Sequence, residues 1–385
     1  MKQTKSSRLQ ALTAAAMALP GISAQVQADA PPERNEIGYH YSQYQEDRAP
    51  ESAVATGSKS RYDIGTHQFR WLGPVNEDYS LLATFDYEGM SGASPMGVTK
   101  GADGKPLLVM SGASIEDTRM DLNVKATRYF PEGNASASLG YSTEDDYNAV
   151  NLGVEGEKHF NNKSTTLSGG VGFSSDTIEP TQQSGTVRPT SEDKTSVTGF
   201  IGGAQVINAV SVIQTSLTVT MHDGYLSDPY RSNDVRPDSR LGFAWNTRYR
   251  RWMADSNAAL HLDYRLYSDD WGILSHTLGM EWHQNLDDSL RITPSLRYYT
   301  QSQADFYVPF DVSGIAGEQS SDYRLSPYGA ITLGLAAVAS GPNWRLRVSG
   351  ERYYSDGDFA LGGVDVENPG LINFTLLTVG MEYLY

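Results

Sequence analysis

The sequence predicts an all-β protein: a closed antiparallel up-and-down transmembrane β-barrel of about 16 strands, with short periplasmic turns and long extracellular loops. Apolar and polar residues alternate along almost the whole chain, and short connections alternate with long ones. The last segment, "TLLTVGMEYLY" (375–385), alternates up to its final residue, with an apolar row that ends in Tyr383 and Tyr385. A final strand that pairs with the first would close the barrel and place that row against lipid.

The first 28 residues have the order of a secretory signal peptide. Lys2, Lys5 and Arg8 precede the apolar run "ALTAAAMAL" (11–19), and the small residues of "VQA" (26–28) follow. The run is too short to span a bilayer. We expect cleavage after Ala28, with Ala24 as the alternative, and a mature barrel domain over 29–385. The competing interpretation is an N-terminal helix of the fold.

Strand-period alternation recurs in segments of the length that a tilted membrane strand needs. It predicts strands near 36–47, 60–72, 78–89, 117–129, 134–144, 148–160, 164–175, 195–207, 210–222, 240–252, 257–268, 273–285, 290–302, 325–339, 343–355 and 373–385. The region 176–210 is ambiguous, so barrels of fourteen or eighteen strands remain open at this stage.

The connections favour a barrel over the main alternative, a secreted β-sandwich or solenoid. Seven connections are tight-turn sequences rich in Gly, Asn, Asp and Pro, such as "PEGN" (131–134) and "SGPN" (340–343). Most of the others are long. A soluble sandwich needs no such asymmetry, whereas a barrel with all tight turns at one end has both termini at that end and an even number of strands.

The composition excludes some functions. The chain has 46 acidic and 30 basic residues, for a net charge of −16. Nucleic acid is therefore not expected as a partner, because phosphate backbones favour clustered Lys and Arg. The absence of cysteine excludes disulfides in an exported protein.

Several stretches resemble a known bacterial family. They are "YQEDR" (44–48), "DGYLSDPYRSNDVRPDSR" (223–240), "ALHLDYRLYSDDWGILSHTLGMEWHQ" (259–284) and "ITPSLRYYTQSQADFY" (292–307). Together they resemble DUF3570, a family of outer-membrane barrels of unknown function. The resemblance implies the barrel fold and no catalytic residue. It also implies a redox-related envelope setting with a periplasmic protein partner.

Alternation assigns charged residues to the lumen, and two walls of opposite sign are predicted. The late wall is basic, and its candidate selectivity residues are Arg248, Arg250, Asp263, Arg265, Glu281, Arg291, Arg297, Arg345, Arg347 and Glu351. The early wall is acidic, with Asp86, Glu88, Asp121, Glu155 and Glu157, and has Arg119 and Lys125 among them. Two interpretations are open: a transverse field that orients solutes, or pairing across strands that stiffens the wall.

The histidines raise two further hypotheses. His261 and Asp263 share a face and His283 is expected near them, a pattern compatible with the orienting pair of a barrel hydrolase. No nucleophile motif accompanies them, so we expect no enzyme. A zinc site built from His261 and His283 is the second hypothesis, without an HExxH motif or a cysteine to support it. Ordinary lumen lining is the simplest interpretation, and no cofactor is expected.

The loops carry the remaining expectations. "TEDDYN" (143–148), "YSDDWG" (267–272) and "SDGD" (355–358) are acidic enough to suggest calcium, although none has the spacing of a calcium loop. Loops 90–116 and 303–324 are the candidates for an inward constriction. Pro294 lies inside a strand and predicts a β-bulge. The predicted function is a porin-like channel of the outer membrane for small polar or charged solutes, and the alternative is a plugged structural or interaction protein.

Overall fold

The computed structural model describes residues 30–112, 115–182, 187–231, 233–314 and 316–385. The predicted signal peptide, 1–28, lies outside the described residues. Nineteen strands are numbered in chain order. Sixteen of them form the barrel: Glu36–Glu46 (β1), Asp63–Asn76 (β3), Tyr79–Gly92 (β4), Ile115–Phe130 (β7), Gly133–Thr143 (β8), Tyr147–Phe160 (β9), Thr165–Ile178 (β10), Glu192–Asn208 (β11), Ser211–Gly224 (β12), Ser239–Met253 (β13), Ala258–Asp269 (β14), Leu274–Asn285 (β15), Leu290–Gln301 (β16), Tyr328–Ser340 (β17), Trp344–Asp356 (β18) and Phe374–Leu384 (β19).

The sixteen barrel strands close into a single antiparallel sheet, and each corresponds to a segment predicted from alternation. The ambiguous region 176–210 holds the end of β10 and the whole of β11, so the alternatives of fourteen and eighteen strands are wrong. No helix in the described part of the chain is long and apolar enough to cross a membrane.

The first and last strands close the barrel. β1 pairs with β19 from Glu36 opposite Leu384 to Glu46 opposite Phe374. The ladder continues beyond the strands, where the N–H of Asn35 donates to the carbonyl of Tyr385 at 3.1 Å. Each of these bonds satisfies a backbone group that an open edge would leave unpaired.

The pleat separates two kinds of side chain. One set is apolar and points away from the barrel axis, as along β19, where Leu377, Val379, Met381 and Tyr383 are all exposed on the outer surface. The other set is largely polar and lies on the side that the long loops contact. For example, the inward Gln301 donates to the carbonyl of Arg324 at 2.9 Å. In a closed barrel with an apolar outer band, the polar row lies on the inside.

The tight turns all lie at one end, together with Asn35 and Tyr385, as predicted. In the turn after β9, Asn161, Asn162 and Lys163 all have positive φ, between 50° and 65°, a region where Asn is less strained than most residues. Connections at the opposite end are long, apart from 144–146 and 270–273.

The long connections pack together into a structure that we call the loop cap, formed by the described residues of 47–62, 93–114, 225–238, 302–327 and 357–373. It contains a three-stranded sheet of Val54–Thr56 (β2), Pro95–Lys100 (β5) and Pro106–Met110 (β6). Loops 90–116 and 303–324, predicted to form a constriction, meet where the N–H of Val98 donates to Asp311 at 2.9 Å.

The predicted bulge at Pro294 is wrong. Pairing between β15 and β16 lapses beside Pro294, but it resumes in the same register, from Glu281 opposite Ser295 to Gln284 opposite Ile292. No residue is inserted. Proline removes one N–H donor from the ladder, and the strand absorbs that loss without changing its phase.

The closure of the barrel predicts a specific crosslink. Ser42 and Thr378 face each other across β1 and β19, with their hydroxyl oxygens 2.9 Å apart, and the chain has no native cysteine. Oxidation of the double variant Ser42→Cys/Thr378→Cys is expected to form one intramolecular disulfide, since directly paired positions satisfy disulfide geometry. The measurement is a mobility shift of the heat-denatured, non-reduced protein.

The matched control is Ser42→Cys/Ser349→Cys. Ser349 pairs with Thr378 from the other side, so it lies two strands away from Ser42. This pair is expected to stay reduced. Equal crosslinking of both pairs, or of neither, would contradict the observed closure.

Candidate functional site

The interior wall of the barrel is the candidate site, and every predicted lumen residue lies on it. Register relates these residues directly: Arg250 faces His261, which faces Glu281 on the next strand. The same inward phase holds the rest of the predicted set: Arg248, Asp263, Arg265, Arg291, Arg297, Arg345, Arg347, Glu351, Asp86, Glu88, Asp121, Glu155 and Glu157.

The acidic early wall is a network of paired charges. Arg119 lies 3.6 Å from Glu88, 3.4 Å from Asp121 and 3.8 Å from Glu144. Lys125 of β7 bonds to Glu155 of β9, across the small side chains of β8 between them. Asn134 donates to Glu157 at 2.7 Å. Most carboxylates of this wall thus have a cationic or amide partner, although they outnumber its two cations.

Part of the basic late wall is paired in the same way. Arg250 donates to both carboxylate oxygens of Asp263, at 2.9 and 3.1 Å, and Arg248 approaches the same carboxylate at 3.5 Å. Arg345 donates to Glu382 at 2.6 Å. One carboxylate thus serves two guanidinium groups, which leaves the pairing on β13 and β14 incomplete.

Four other late-wall arginines have no hydrogen-bond or ion-pair partner among the described residues: Arg265, Arg291, Arg297 and Arg347. Arg291 and Arg347 line a cleft of about 160 Å³ that also includes His40, Arg345 and Glu382. Three guanidinium groups and one carboxylate therefore share this cleft, which we call the basic cleft. It lies beside the tight-turn end, since Arg291 and Arg345 are each the second residue of a strand that follows a tight turn.

The two walls differ in their access to water. The side chain of Arg345 is 53% exposed and that of Glu281 is 46% exposed, whereas the side chains of Arg119 and Asp121 are each 6% exposed. Arg345 and Glu281 therefore face open space near the tight-turn end, whereas the Arg119 network of the early wall is packed. Within the basic cleft, a polar solute meets three guanidinium groups and one carboxylate.

The histidines lie as close as the sequence predicted. The ring centroids of His261 and His283 are 4.0 Å apart. Glu281 lies between them, with its Oε2 atom 2.9 Å from His283 Nε2 and 3.7 Å from His261 Nδ1. Asp263, the partner suggested for His261, binds arginine instead. The geometry of an orienting His–Asp pair is therefore absent at this position.

The loop cap holds a second cluster, whose role sequence reasoning missed. Asp322 is fully buried and accepts hydrogen bonds from Arg236 at 2.8 Å and from Arg324 at 2.9 Å. Arg231 donates to Ser321 at 2.9 Å and to the carbonyl of Pro95 at 3.2 Å. The repeated Asp and Arg of "SDPYRSNDVRPDSR" (227–240), within the family-like stretch, was the available signal.

Burial opposes ionisation of Asp322, but the neighbouring guanidinium groups of Arg324, Arg231 and Arg236 outweigh it and hold the pKa of this carboxyl well below its usual range. The carboxylate thus stays charged within the cap. It connects loops 225–238 and 302–327, which are far apart in the sequence.

The acidic connections suggested for calcium are held by the chain's own donors. Asp269 accepts from Arg240, from Tyr267 and from the N–H groups of Trp271 and Ile273. Asp146 accepts from the hydroxyl of Tyr230. The bonds of Asp269 hold the connection after β14, the bond of Asp146 fixes the connection after β8 to the cap, and calcium binding stays a prediction.

Comparison with known proteins bears on the same features. A family model described as "Protein of unknown function (DUF3570)" matches residues 9–366. The chain belongs to the DUF3570 family. The resemblance seen in the sequence is therefore confirmed over nearly the whole chain. No curated protein matches this sequence.

Solved structures share the fold of this DUF3570 protein. A bacterial polysaccharide outer membrane secretin aligns with a TM-score of 0.51 and 9% identity, over 91% of this chain and 98% of the other. CdiB from Acinetobacter baumannii aligns with a TM-score of 0.52 and 7% identity, over 91% and 60%. The siderophore receptor PirA from Acinetobacter baumannii aligns with a TM-score of only 0.46 and 8% identity, over 85% of this chain and 53% of the other. At these identities the likeness concerns the fold alone.

The cap network predicts the effect of one substitution. Asp322→Asn keeps the shape of the side chain but removes the carboxylate shared by Arg236 and Arg324, which leaves them only Asp234 and Asp228 as counter-charges and costs roughly 3 kcal/mol. Amide hydrogen exchange in 302–314 and 316–327 is expected to accelerate about a hundredfold while the barrel strands keep their protection. Asp358→Asn, an exposed acid of the same cap, is the control. Unchanged exchange in Asp322→Asn would refute the role of the network.

The depressed pKa of Asp322 predicts a pH dependence. A carboxyl whose folded pKa lies below the unfolded value, about 3.9, stabilises the fold fully above that value and loses its contribution as pH falls towards the folded pKa. The cap is therefore expected to keep its exchange protection at pH 5 and to lose it progressively below about pH 4. In Asp322→Asn this acid-dependent part is expected to be absent.

Proposed function

We propose that this protein is a bacterial outer-membrane barrel that passes small anionic solutes through its lumen. Export by the predicted signal peptide and lipid contact along the outward apolar band support the location. The fold shared with outer-membrane barrels supports it as well. Barrels of this strand number generally leave room for an aqueous channel.

The observation that carries the proposal is the unpaired arginines of the late wall. Arg291, Arg297 and Arg347 face the lumen without a partner in the described part of the chain, and the basic cleft holds three guanidinium groups against one carboxylate. Unpaired cations on a wall exposed to water attract anions and raise their local concentration. Structural pairing does not explain them, in contrast to the early wall.

The loop cap supports a second candidate, a plugged barrel that acts as a structural or interaction protein. Its buried contacts connect five segments over the long-loop end, and the fully buried Asp322 gives it an ionic core. In the channel proposal the same cap is the constriction that solutes pass. The family resemblance implies a redox-related setting in the cell envelope. For a plugged barrel, the proposed partner is therefore a periplasmic protein.

Planar-bilayer recording tests the channel. The purified mature barrel is expected to conduct, and a salt gradient is expected to give a reversal potential that indicates anion preference. Arg291→Glu/Arg347→Glu reverses two charges in the basic cleft and is expected to shift that potential towards cations. Arg251→Glu is the matched control, because Arg251 lies on the outward row opposite Leu260.

Two outcomes would contradict the proposal. A wild-type barrel that inserts and never conducts rules out the open channel; conduction that appears only in Asp322→Asn would then indicate a closed cap. A conducting barrel whose ion preference is unchanged by Arg291→Glu/Arg347→Glu would rule out the basic cleft as the selectivity element.

A further inference from the structure

The three residues His261, Glu281 and His283 form a cluster that the proposed channel does not need. They lie on neighbouring strands, with His261 on β14 and the other two on β15. Register pairs His261 directly with Glu281, and the two-residue spacing of Glu281 and His283 places both on one face of the pleat. All three side chains point into the lumen near the tight-turn end.

The donor atoms converge on one point. One ligand atom from each residue lies within 4.8 Å of the other two, in the only such group among the described residues. The separations from Glu281 Oε2 are 2.9 Å to His283 Nε2 and 3.7 Å to His261 Nδ1. A tetrahedral ion with bonds of ~2.0–2.1 Å has ligand atoms roughly 3.3 Å apart, so the observed spacings bracket that value.

A third strand orients one of the ligands. Thr293 of β16 is buried, and its hydroxyl lies 3.1 Å from His283 Nδ1. A neutral His283 that donates its Nδ1 proton to Thr293 has the lone pair of Nε2 free for a metal ion held beside Glu281. An outer-shell bond of this kind fixes the tautomer and the ring orientation of metal-ligating histidines.

The surrounding charges leave Glu281 available. Its hydrogen-bond and ion-pair partners in the described part of the chain are the two imidazoles, although the wall is rich in arginine. Arg250, which faces His261, has its guanidinium turned to Asp263 by two hydrogen bonds. A carboxylate between two imidazoles supplies one negative charge and two neutral nitrogen ligands, the set that suits Zn²⁺ and similar divalent ions.

We propose that His261, Glu281 and His283 bind one divalent transition-metal ion of the Zn²⁺ class in the lumen, with a fourth coordination position open to water or to a passing anion. Three protein ligands and an open position distinguish such a site from a closed structural one. The site lies beside the basic cleft, because Thr293 and Arg291 are neighbours on the inward row of β16. Arg291 thus lies next to the ligand-orienting Thr293 and also lines the basic cleft.

Calorimetric titration of Zn²⁺ into the untagged, chelator-treated barrel in detergent tests the site. One equivalent is expected to bind the wild type. Affinity is expected to fall at least a hundredfold in His261→Ala/His283→Ala and about tenfold in Thr293→Val, in which only the outer-shell bond is lost. His222→Ala is the matched control, since His222 is an inward histidine of β12 that bonds to Ser196 at 2.7 Å, and it is expected to bind like wild type.

Co²⁺ provides a second measurement. Its visible absorption is expected to show a four-coordinate site in the wild type and to lose that signature in Glu281→Gln. Heat-modified mobility on gels confirms that each variant is folded. Absence of stoichiometric binding by the wild type, or equal binding by wild type and the double histidine variant, would overturn the proposal. Neither outcome bears on conductance, so the channel stands or falls separately.

Discussion

The pairing of β1 with β19 is the constraint on which the rest of the structure depends. Without it, two strands would each expose a row of backbone donors and acceptors, and hydrocarbon offers nothing to bond them. The sheet therefore has to close, and antiparallel closure fixes an even strand number and puts Asn35 and Tyr385 at one end. It also gives every strand one face towards the lumen. Local alternation along each strand then decides which side chains occupy that face.

Closure alone does not decide the chemistry of the interior. That chemistry depends on how the ion pairs are distributed between the two walls. The early wall pairs most of its carboxylates, chiefly with Arg119 and Lys125, and the network around Arg119 is packed. The late wall has more guanidinium groups than carboxylates and keeps them accessible at the tight-turn end. One barrel thus combines a wall with a packed ionic network and a wall that keeps arginine side chains accessible to solutes. The basic cleft and the histidine cluster both lie on the late wall.

The strands and their facing were predictable because both depend on local alternation. Leu377, Val379 and Met381 read as an outward row from their spacing, and the structure has them there. Partners were less predictable, because they depend on register across the sheet. Lys125 reaches Glu155 over an intervening strand, and no local pattern encodes that distance. The prediction of a bulge at Pro294 was wrong for a related reason. A missing N–H donor weakens the ladder locally but does not change the register of the two strands.

The loop cap was the part of the structure least predictable from the sequence, because its contacts join segments that are far apart in the chain. Tyr230 bonds to Asp146, and Asn368 bonds to Tyr307 and to the carbonyl of Ser321. This has a consequence for the order of assembly. Loops 225–238 and 302–327 follow β12 and β16, which are not neighbours, so their contacts need the intervening strands to be paired first. The buried ion pairs around Asp322 therefore depend on the sheet from β12 to β17, at the end of the barrel opposite Asn35 and Tyr385.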